Sequence, residues 1–336
     1  MKKHCFYTSF NKAYASQALL LAKSLRHHHG DKINIQALIV DEVSLEDRQF
    51  FSAFDEILFA KNLNIPNFEH WIYGLDIVEA ATAVKPFGLC HLLREFHHVT
   101  YLDPDILVYS TLDELFTNHI KWDVALTPHQ IMPQQERWVI EATELESLRF
   151  GIYNLGFLSV RATANGKKVA NWWRDRCYDY CISEPERGLF TDQKMFDAVP
   201  AMFDGVHILR HPGYNVATWN IRERDVNLVN DQAIVNGQPL RFCHFTKATH
   251  IGNDALERMV GQDTLFEELF YAYVAELSQQ NKTMEFMDTK WFYGYYKNGQ
   301  AIEKPDRNKF RSMRDKRFEY RNPFEGGSEW VLSDAI

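Results

Sequence analysis

Residues 99–109, Val99-Thr100-Tyr101-Leu102-Asp103-Pro104-Asp105-Ile106-Leu107-Val108-Tyr109, constrain the fold more than any other stretch. The β-branched and aromatic run predicts a buried strand, with two carboxylates one residue apart at its end. Extended backbone sends alternate side chains to one face, so Asp103 and Asp105 share a side. Pro104 fixes φ and lacks an amide donor, which suits a strand's exit rather than its middle. Two like charges this close raise each other's pKa unless a cation lies between them. A hard divalent cation with positions open to phosphate oxygens meets that need. The triplet therefore predicts a metal site that receives a diphosphate, with plain turn chemistry as the competing reading.

Strand and helix patterns alternate ahead of it. Residues 4–7 read as a strand, 13–29 as a helix stopped at Gly30, and 33–40 as a second strand. Residues 45–54 read as a helix capped by Ser44, and 56–59 as a third strand. This order predicts right-handed crossovers and a parallel sheet with helices on its faces. Ligands gather at the carboxyl ends of such strands, where Thr8, Ser9, Asp41 and the Asp103–Asp105 pair would lie. Further on, 75–97 reads as helical with Lys85-Pro86 as a kink or a restart, 123–126 and 153–160 as strands, and 166–180 as a helix. Thr191 reads as the cap of a helix opening on Asp192-Gln193-Lys194. Asn236-Gly237 marks a hairpin, 264–280 an amphipathic helix, and His27-His28-His29 an exposed helix end.

A hydrophobic share of 46% over 336 residues supplies a large core and rules out a disordered chain. The net charge of −8 argues against nucleic acid as a partner. Five cysteines with no Cys-x-x-Cys pair predict reduced thiols in a cytoplasmic protein rather than a disulfide frame or a zinc knuckle. Neither a secretory leader nor a membrane span is read. The tail differs: an aromatic run at 291–296 precedes a window, 303–321, with eight basic against four acidic residues. It reads either as contact with an anionic membrane or lipid-linked acceptor, or as an edge packed on the body.

Four blocks, taken in order, resemble bacterial GT-A glycosyltransferases of the family 8 type, the retaining nucleotide-sugar transferases. They are 6–24 (with Tyr14-Ala15 and Ala22-Lys23-Ser24), 101–105, 153–157 with 191–193 downstream, and 242–245. The strings at 82–86 and 212–220 also occur in similar transferases. The resemblance spans roughly residues 1–250 and not the tail beyond about Gln280. It implies an α/β fold of the GT-A type, Rossmann-like, with a mixed, mainly parallel sheet flanked by helices. Residues 1–250 would form the catalytic domain. Residues 251–336 would form a C-terminal helical extension packed on it, offering acceptor or membrane-surface contact.

Position by position, Asp103, Asp105 and His244 match the family's ligands for Mn²⁺, with Mg²⁺ as the alternative; imidazole among carboxylates favours Mn²⁺. Thr8, Ser9, Asn11 and Tyr14 match the nucleotide-base pocket, and Asp103 also the ribose contact. Phe10-Asn11-Lys12 departs from the family's acidic and amide contacts, which leaves the base open with UDP favoured. Lys85 falls where a cation meets the donor. Asn154, in one block with Gly156, and Asp192 fall where sugar hydroxyls are gripped. Gln193 falls beside the reacting anomeric carbon. Lys247 is placed to meet the diphosphate, although the family's glycine after the histidine is absent.

The activity implied is transfer of a hexose, with retained configuration, from a nucleotide-diphosphate sugar (UDP-hexose favoured) to a saccharide or lipid-linked glycan hydroxyl. The setting is bacterial surface-polysaccharide synthesis in the cytoplasm, with peripheral contact at the membrane's inner face through the basic tail. Gln193 would stabilise the reacting centre, and a covalent route through Asp192 competes. A sugar-nucleotide pyrophosphorylase-like nucleotidyltransferase is one alternative, but no Gly-rich phosphate loop follows the first strand. A non-catalytic nucleotide-sugar-binding protein is the other. Bland readings also stand: a core histidine for His244, a solvated charge for Lys85, a helix-dipole complement for Asp192-Gln193, and turn chemistry for Asn154 and Gly156.

Overall fold

The computed structural model describes residues 2–117, 120–248, 253–261, 264–325 and 330. Alternation along β1 (Lys2–Phe10) sends Cys5 and Tyr7 into one apolar cluster and Phe6 and Phe10 into another. β2 (Asn34–Ile39) repeats this, with Leu38 opposed to Ile35, Ala37 and Ile39. Strands buried on both faces need helices above and below, the usual setting of parallel pairing. β3 (Glu56–Phe59) pairs parallel with β2, and β4 (Phe96–Leu102) parallel with β1. After the Asp-Pro-Asp turn, β5 (Ile106–Val108) leaves the sheet.

β6 (Val124–Pro128) and β7 (Tyr153–Arg161) follow, then a small hairpin of β8 (Ile182–Glu184) and β9 (Leu189–Thr191), and β10 (Val206–Ile208). The main sheet has seven strands in the order β10-β6-β7-β4-β1-β2-β3. Within it β7 alone runs against its neighbours, so the sheet is mixed and mainly parallel. β11 (Val226–Val229), β12 (Gln232–Val235) and β13 (Gln238–Pro239) form a separate antiparallel ribbon. Asn236 and Gly237 close its hairpin at φ 48° and 77°, the left-handed values a two-residue turn requires. β14 (Phe242–His244) pairs antiparallel with β5 and sets His244 opposite Ile106. Helix Ala15–His29, backed by Leu265–Thr283, covers one face of the sheet, and Lys85–Leu92 with Ala164–Tyr180 the other.

Several local expectations are corrected. Ser44 accepts the Asp47 amide at 3.0 Å but also donates to its carboxylate at 2.8 Å, closing a turn on itself. Only a 3-10 segment, Asp47–Phe51, follows it. Lys85-Pro86 restarts a helix, with the proline in its first turn, where no amide is needed. Thr191 ends β9 at φ 44°, its hydroxyl turned to Asp192, and the next 3-10 helix begins at Lys194. His29 turns inward and accepts the Leu112 amide at 3.3 Å, so the histidine run is not wholly exposed.

The tail packs on the body. Arg307 is buried and donates to the Tyr73, Leu75 and Tyr293 carbonyls, while Arg311 pairs with Glu79 at 2.9 Å. The boundary expected at 250/251 lies outside the described residues. All five cysteines are unpaired. Among the described residues no helix is long and apolar enough to cross a membrane.

A polar row is buried inside the sheet across β1, β4 and β7. His4 meets Thr100 at 2.9 Å, Thr100 meets Ser159 at 2.6 Å, and His98 meets Ser159 at 2.7 Å. Burial first, and Arg161 second, hold His98 down at about 3 from its ordinary 6.5. A folded-state pKa below the unfolded one means that the unfolded chain takes the proton first as pH falls, so this contribution to stability is lost below about 6.5. We expect His98→Gln to flatten the dependence of unfolding free energy on pH by roughly 1.4 kcal/mol per pH unit between 6.5 and 5. Urea denaturation at several pH values reads this directly. Parallel curves for variant and wild type would contradict it.

Candidate active site

The site lies where β1 and β4 end and β7 begins. β4 stops at Leu102 because Asp103-Pro104-Asp105 turns the chain out of the sheet, and β14 returns His244 against β5. His244 Nε2 lies 3.0 Å from Asp105 Oδ1 and 3.8 Å from Asp103 Oδ2. Ligand atoms of the three residues all fall within 4.8 Å of one another.

The orientation of the imidazole is fixed from behind. Asn215 spends its amide hydrogens on Asn154 Oδ1 (3.0 Å) and Thr127 Oγ1 (3.1 Å), which leaves its oxygen to accept from His244 Nδ1 at 3.1 Å. Nε2 then points at two carboxylates. A lone pair aimed at carboxylates is repulsive, so a positive charge must lie between them, either a proton on Nε2 or a metal cation. Two carboxylates and an imidazole are a donor set that can hold a divalent cation. Burial lowers the His244 pKa, but Asp105 and then Asp103 outweigh it and raise it overall. Gly156 is the space that makes this possible, since a Cβ there would meet His244 Cε1 at 2.5 Å and Asn154 Oδ1 at 2.7 Å.

A second charge cluster shares Asp103. Lys85, 3% exposed, lies 3.0 Å from Asp103 Oδ1 and 3.2 Å from Asp192 Oδ2, with its ammonium 4.5 Å over the Tyr101 ring. Tyr101 donates to Asp103 Oδ1 at 2.6 Å. Burial opposes charge on Asp103, yet Lys85 and His244 hold its carboxyl below the usual range. Asp192 goes the other way: burial raises it, Lys85 offsets this only in part, and Asp103 adds to the rise. Lys85 is itself disfavoured by burial and raised by the two aspartates. Thr191, β-branched and at φ 44°, holds strained backbone beside Asp192, as functional sites often do. Gln193 is anchored by Leu155 N donating to its oxygen at 3.3 Å and by its own amide donating to Phe150 O at 3.1 Å.

The first turn is placed next to this. Thr8 Oγ1 and Asn11 Nδ2 are buried without a hydrogen-bond partner, a costly state that a ligand's polar edge would relieve. The Ser9 hydroxyl is already committed to Ala81 O at 2.9 Å and Tyr101 at 3.1 Å. Tyr14 is 45% exposed and, with Asp105 and Lys247, lines a cavity of about 240 Å³ closed by Tyr273 and Asn281. The structure thus brings together Asp103, Asp105, His244, Lys85, Asp192, Asn154, Gly156 and Gln193, with Tyr14 and Lys247 at the adjoining cavity. Sequence reasoning missed Asn215, Tyr101 and Thr127 as supports. Asn215 stands in the quoted string 212–220 and carries φ 53°, but nothing in its residue type marks it as the partner of a histidine.

No protein-family profile matches the chain. Two proteins of Bacillus subtilis (strain 168) do. Uncharacterized protein YfnF is 30% identical over 176 residues, which is 51% of this chain and 57% of that protein. Uncharacterized protein YfnD is 24% identical over 251 residues, 73% of this chain and 78% of that one. The chain thus spans little more than half the length of the first of these relatives.

Among solved structures, the galactosyltransferase LgtC in complex with donor and acceptor sugar analogs aligns at TM-score 0.48 and 15% identity, over 82% of this chain and 95% of its own. The glycosyltransferase GlyE of Streptococcus pneumoniae TIGR4 aligns at 0.47 and 17%, over 88% and 67%. Mouse xyloside xylosyltransferase 1 aligns at 0.43 and 13%, over 75% and 100%. All three are glycosyltransferases by name.

Proposed function

We propose that the protein is a metal-dependent, retaining glycosyltransferase of the GT-A type, resembling family 8. It would move a hexose from a nucleotide-diphosphate sugar, UDP-hexose first, to a saccharide or lipid-linked glycan hydroxyl. One observation carries the reading: a carboxylate pair and an oriented imidazole converge beside a buried Lys–Asp pair, at the carboxyl edge of the sheet. That arrangement suits a substrate with a diphosphate at one end and a reacting carbon at the other. The reading rests on this geometry and on the order of the motifs, not on the structural likenesses, whose TM-scores lie below 0.5.

Asp103, Asp105 and His244 would hold Mn²⁺, or Mg²⁺ in its place. The bound cation supplies electrostatic stabilisation of the charge that builds on the departing diphosphate. Lys85 adds fixed positive charge in a water-poor setting, where it acts more strongly than in bulk solvent. Lys247 and Tyr14 would line the diphosphate and base ends, and Thr8 and Asn11 would find in the nucleotide the partners they lack. Asn154 and Asp192 would orient sugar hydroxyls. Gln193, held at both ends of its amide, would stabilise the oxocarbenium-like centre while the acceptor hydroxyl attacks on the leaving-group face and passes its proton to the departing phosphate oxygen. Asp192 suits positioning better than nucleophilic attack, because Lys85 already engages its buried carboxylate.

A screen of nucleotide sugars with and without MnCl₂ tests this. We expect Mn²⁺-dependent release of sugar from one donor. In Gln193→Ala, kcat should fall by roughly 10²-fold with KM within about threefold. Pyrophosphate-dependent formation of a nucleoside triphosphate would instead mark a nucleotidyltransferase, and binding without turnover a silent binding protein.

A further inference from the structure

Asp41, a carboxylate only 2% exposed just past the end of β2, has no part in the charge clusters of the active site. Three consecutive tail residues grip three consecutive residues there. Trp291 Nε1 donates to Val40 O, Phe292 N to Asp41 Oδ1 and Tyr293 OH to Glu42 Oε1, each at 2.9 Å. Arg307 holds the tail segment from behind, donating to Tyr293 O at 2.7 Å with its guanidinium 5.1 Å over the Trp291 ring. Asp41 Oδ1 also accepts the Glu42 amide at 3.0 Å. Its other oxygen, Oδ2, accepts the Lys12 amide at 3.3 Å, and Lys12 Nζ stands 3.9 Å from Oδ1. Lys12 lies between Asn11 and Tyr14, in the turn that carries the expected nucleotide contacts. A buried carboxylate is tolerated only while such donors stay in place, so its two oxygens tie the tail segment to the turn.

We propose that Asp41 is a positioning residue for the nucleotide, through which the C-terminal tail sets the turn at residues 11–14 that receives a nucleoside diphosphate. The proposal rests on the functional reading given above. It makes the tail part of the donor site in its effect.

Two variants separate this role from simple packing. In Asp41→Asn, the amide oxygen can keep the Phe292 and Glu42 bonds, while its NH₂ confronts the Lys12 N–H, donor against donor. Phe292→Pro deletes the tail's donor and leaves Lys12 untouched; proline is tolerated there because residue 292 opens the 3-10 helix Phe292–Gly294. The probes are UDP and GDP titrated calorimetrically in MnCl₂, with Tm and steady-state donor hydrolysis measured in parallel. Both variants should bind the nucleoside diphosphate that the wild type prefers roughly three- to tenfold more weakly, about the worth of one hydrogen bond. KM for the donor should rise by a similar factor with kcat within about twofold. Unchanged affinity in both variants, whatever their Tm, would overturn the proposal while leaving the glycosyltransferase reading in place. Failure of the wild type to bind any nucleoside diphosphate would overturn that reading and this proposal with it.

Discussion

Asp105→Ala is expected to lower Mn²⁺-dependent turnover of the nucleotide sugar by ~10³-fold or more while the chain stays folded. Asp105 is the carboxylate nearest His244, at 3.0 Å, and its loss leaves two protein ligands where three converge. Electrostatic help to a leaving diphosphate is worth several kcal/mol of barrier, which is the source of the factor. The fold should tolerate the change, because Asp105 sits at a turn outside the regular strands with 14% of its side chain exposed. Turnover within about twofold of wild type, at saturating donor and metal, would remove Asp105 from the site.

Lys85→Met should cost the most stability and nearly as much activity. The ammonium is the shared counter-charge of Asp103 and Asp192, and removing one member of a buried ionic cluster costs roughly 3–5 kcal/mol. A fall in Tm of roughly 4–7 °C follows for a chain of this size. The pH dependence gives the deficit its signature. Burial already raises the Asp192 pKa, and without Lys85 it rises further. A group whose folded-state pKa lies above its unfolded value gains stability as pH falls through it, so the gap to wild type should narrow from pH 8 to pH 5. Denaturation in EDTA at both pH values measures this, and a gap that is absent or widens on acidification would contradict it. Turnover should fall by roughly 10²–10³-fold as well.

Much of the frame was legible in the sequence because it follows from short-range rules. Strands at 34–39, 56–59 and 153–161 announce themselves by β-branched and apolar runs, and Asn236-Gly237 by turn chemistry. The Asp103–Asp105 pair was legible as a motif, but its two carboxylates converge through a turn closed by Ile106 N donating to Asp103 O at 3.2 Å, not through the strand alternation expected of it. What escaped depends on contacts between distant segments. Thr191 has the residue type of a cap, but tertiary packing holds it in left-handed backbone beside Asp192. Lys85 was placed at the donor by the resemblance, but its pairing with Asp103 and Asp192 comes only from tertiary contact. Asn215 gains its role only from the imidazole it faces, and Asp41 only from a tail about 250 residues further along the chain. The basic tail reads in sequence either as a membrane or acceptor contact or as an edge packed on the body, and the burial of Arg307 and Arg317 fits the second.

The central claim is that Asp103, Asp105 and His244 share one divalent cation. Titration with Mn²⁺ in the presence of UDP, following the free-ion electron paramagnetic resonance signal at pH 8 and pH 6, tests it most directly. We expect one ion per chain, bound more weakly at pH 6 because a proton on His244 Nε2, favoured by the two aspartates, competes for the same place. Binding that is absent, or that is identical at both pH values and persists in Asp105→Ala, would contradict it.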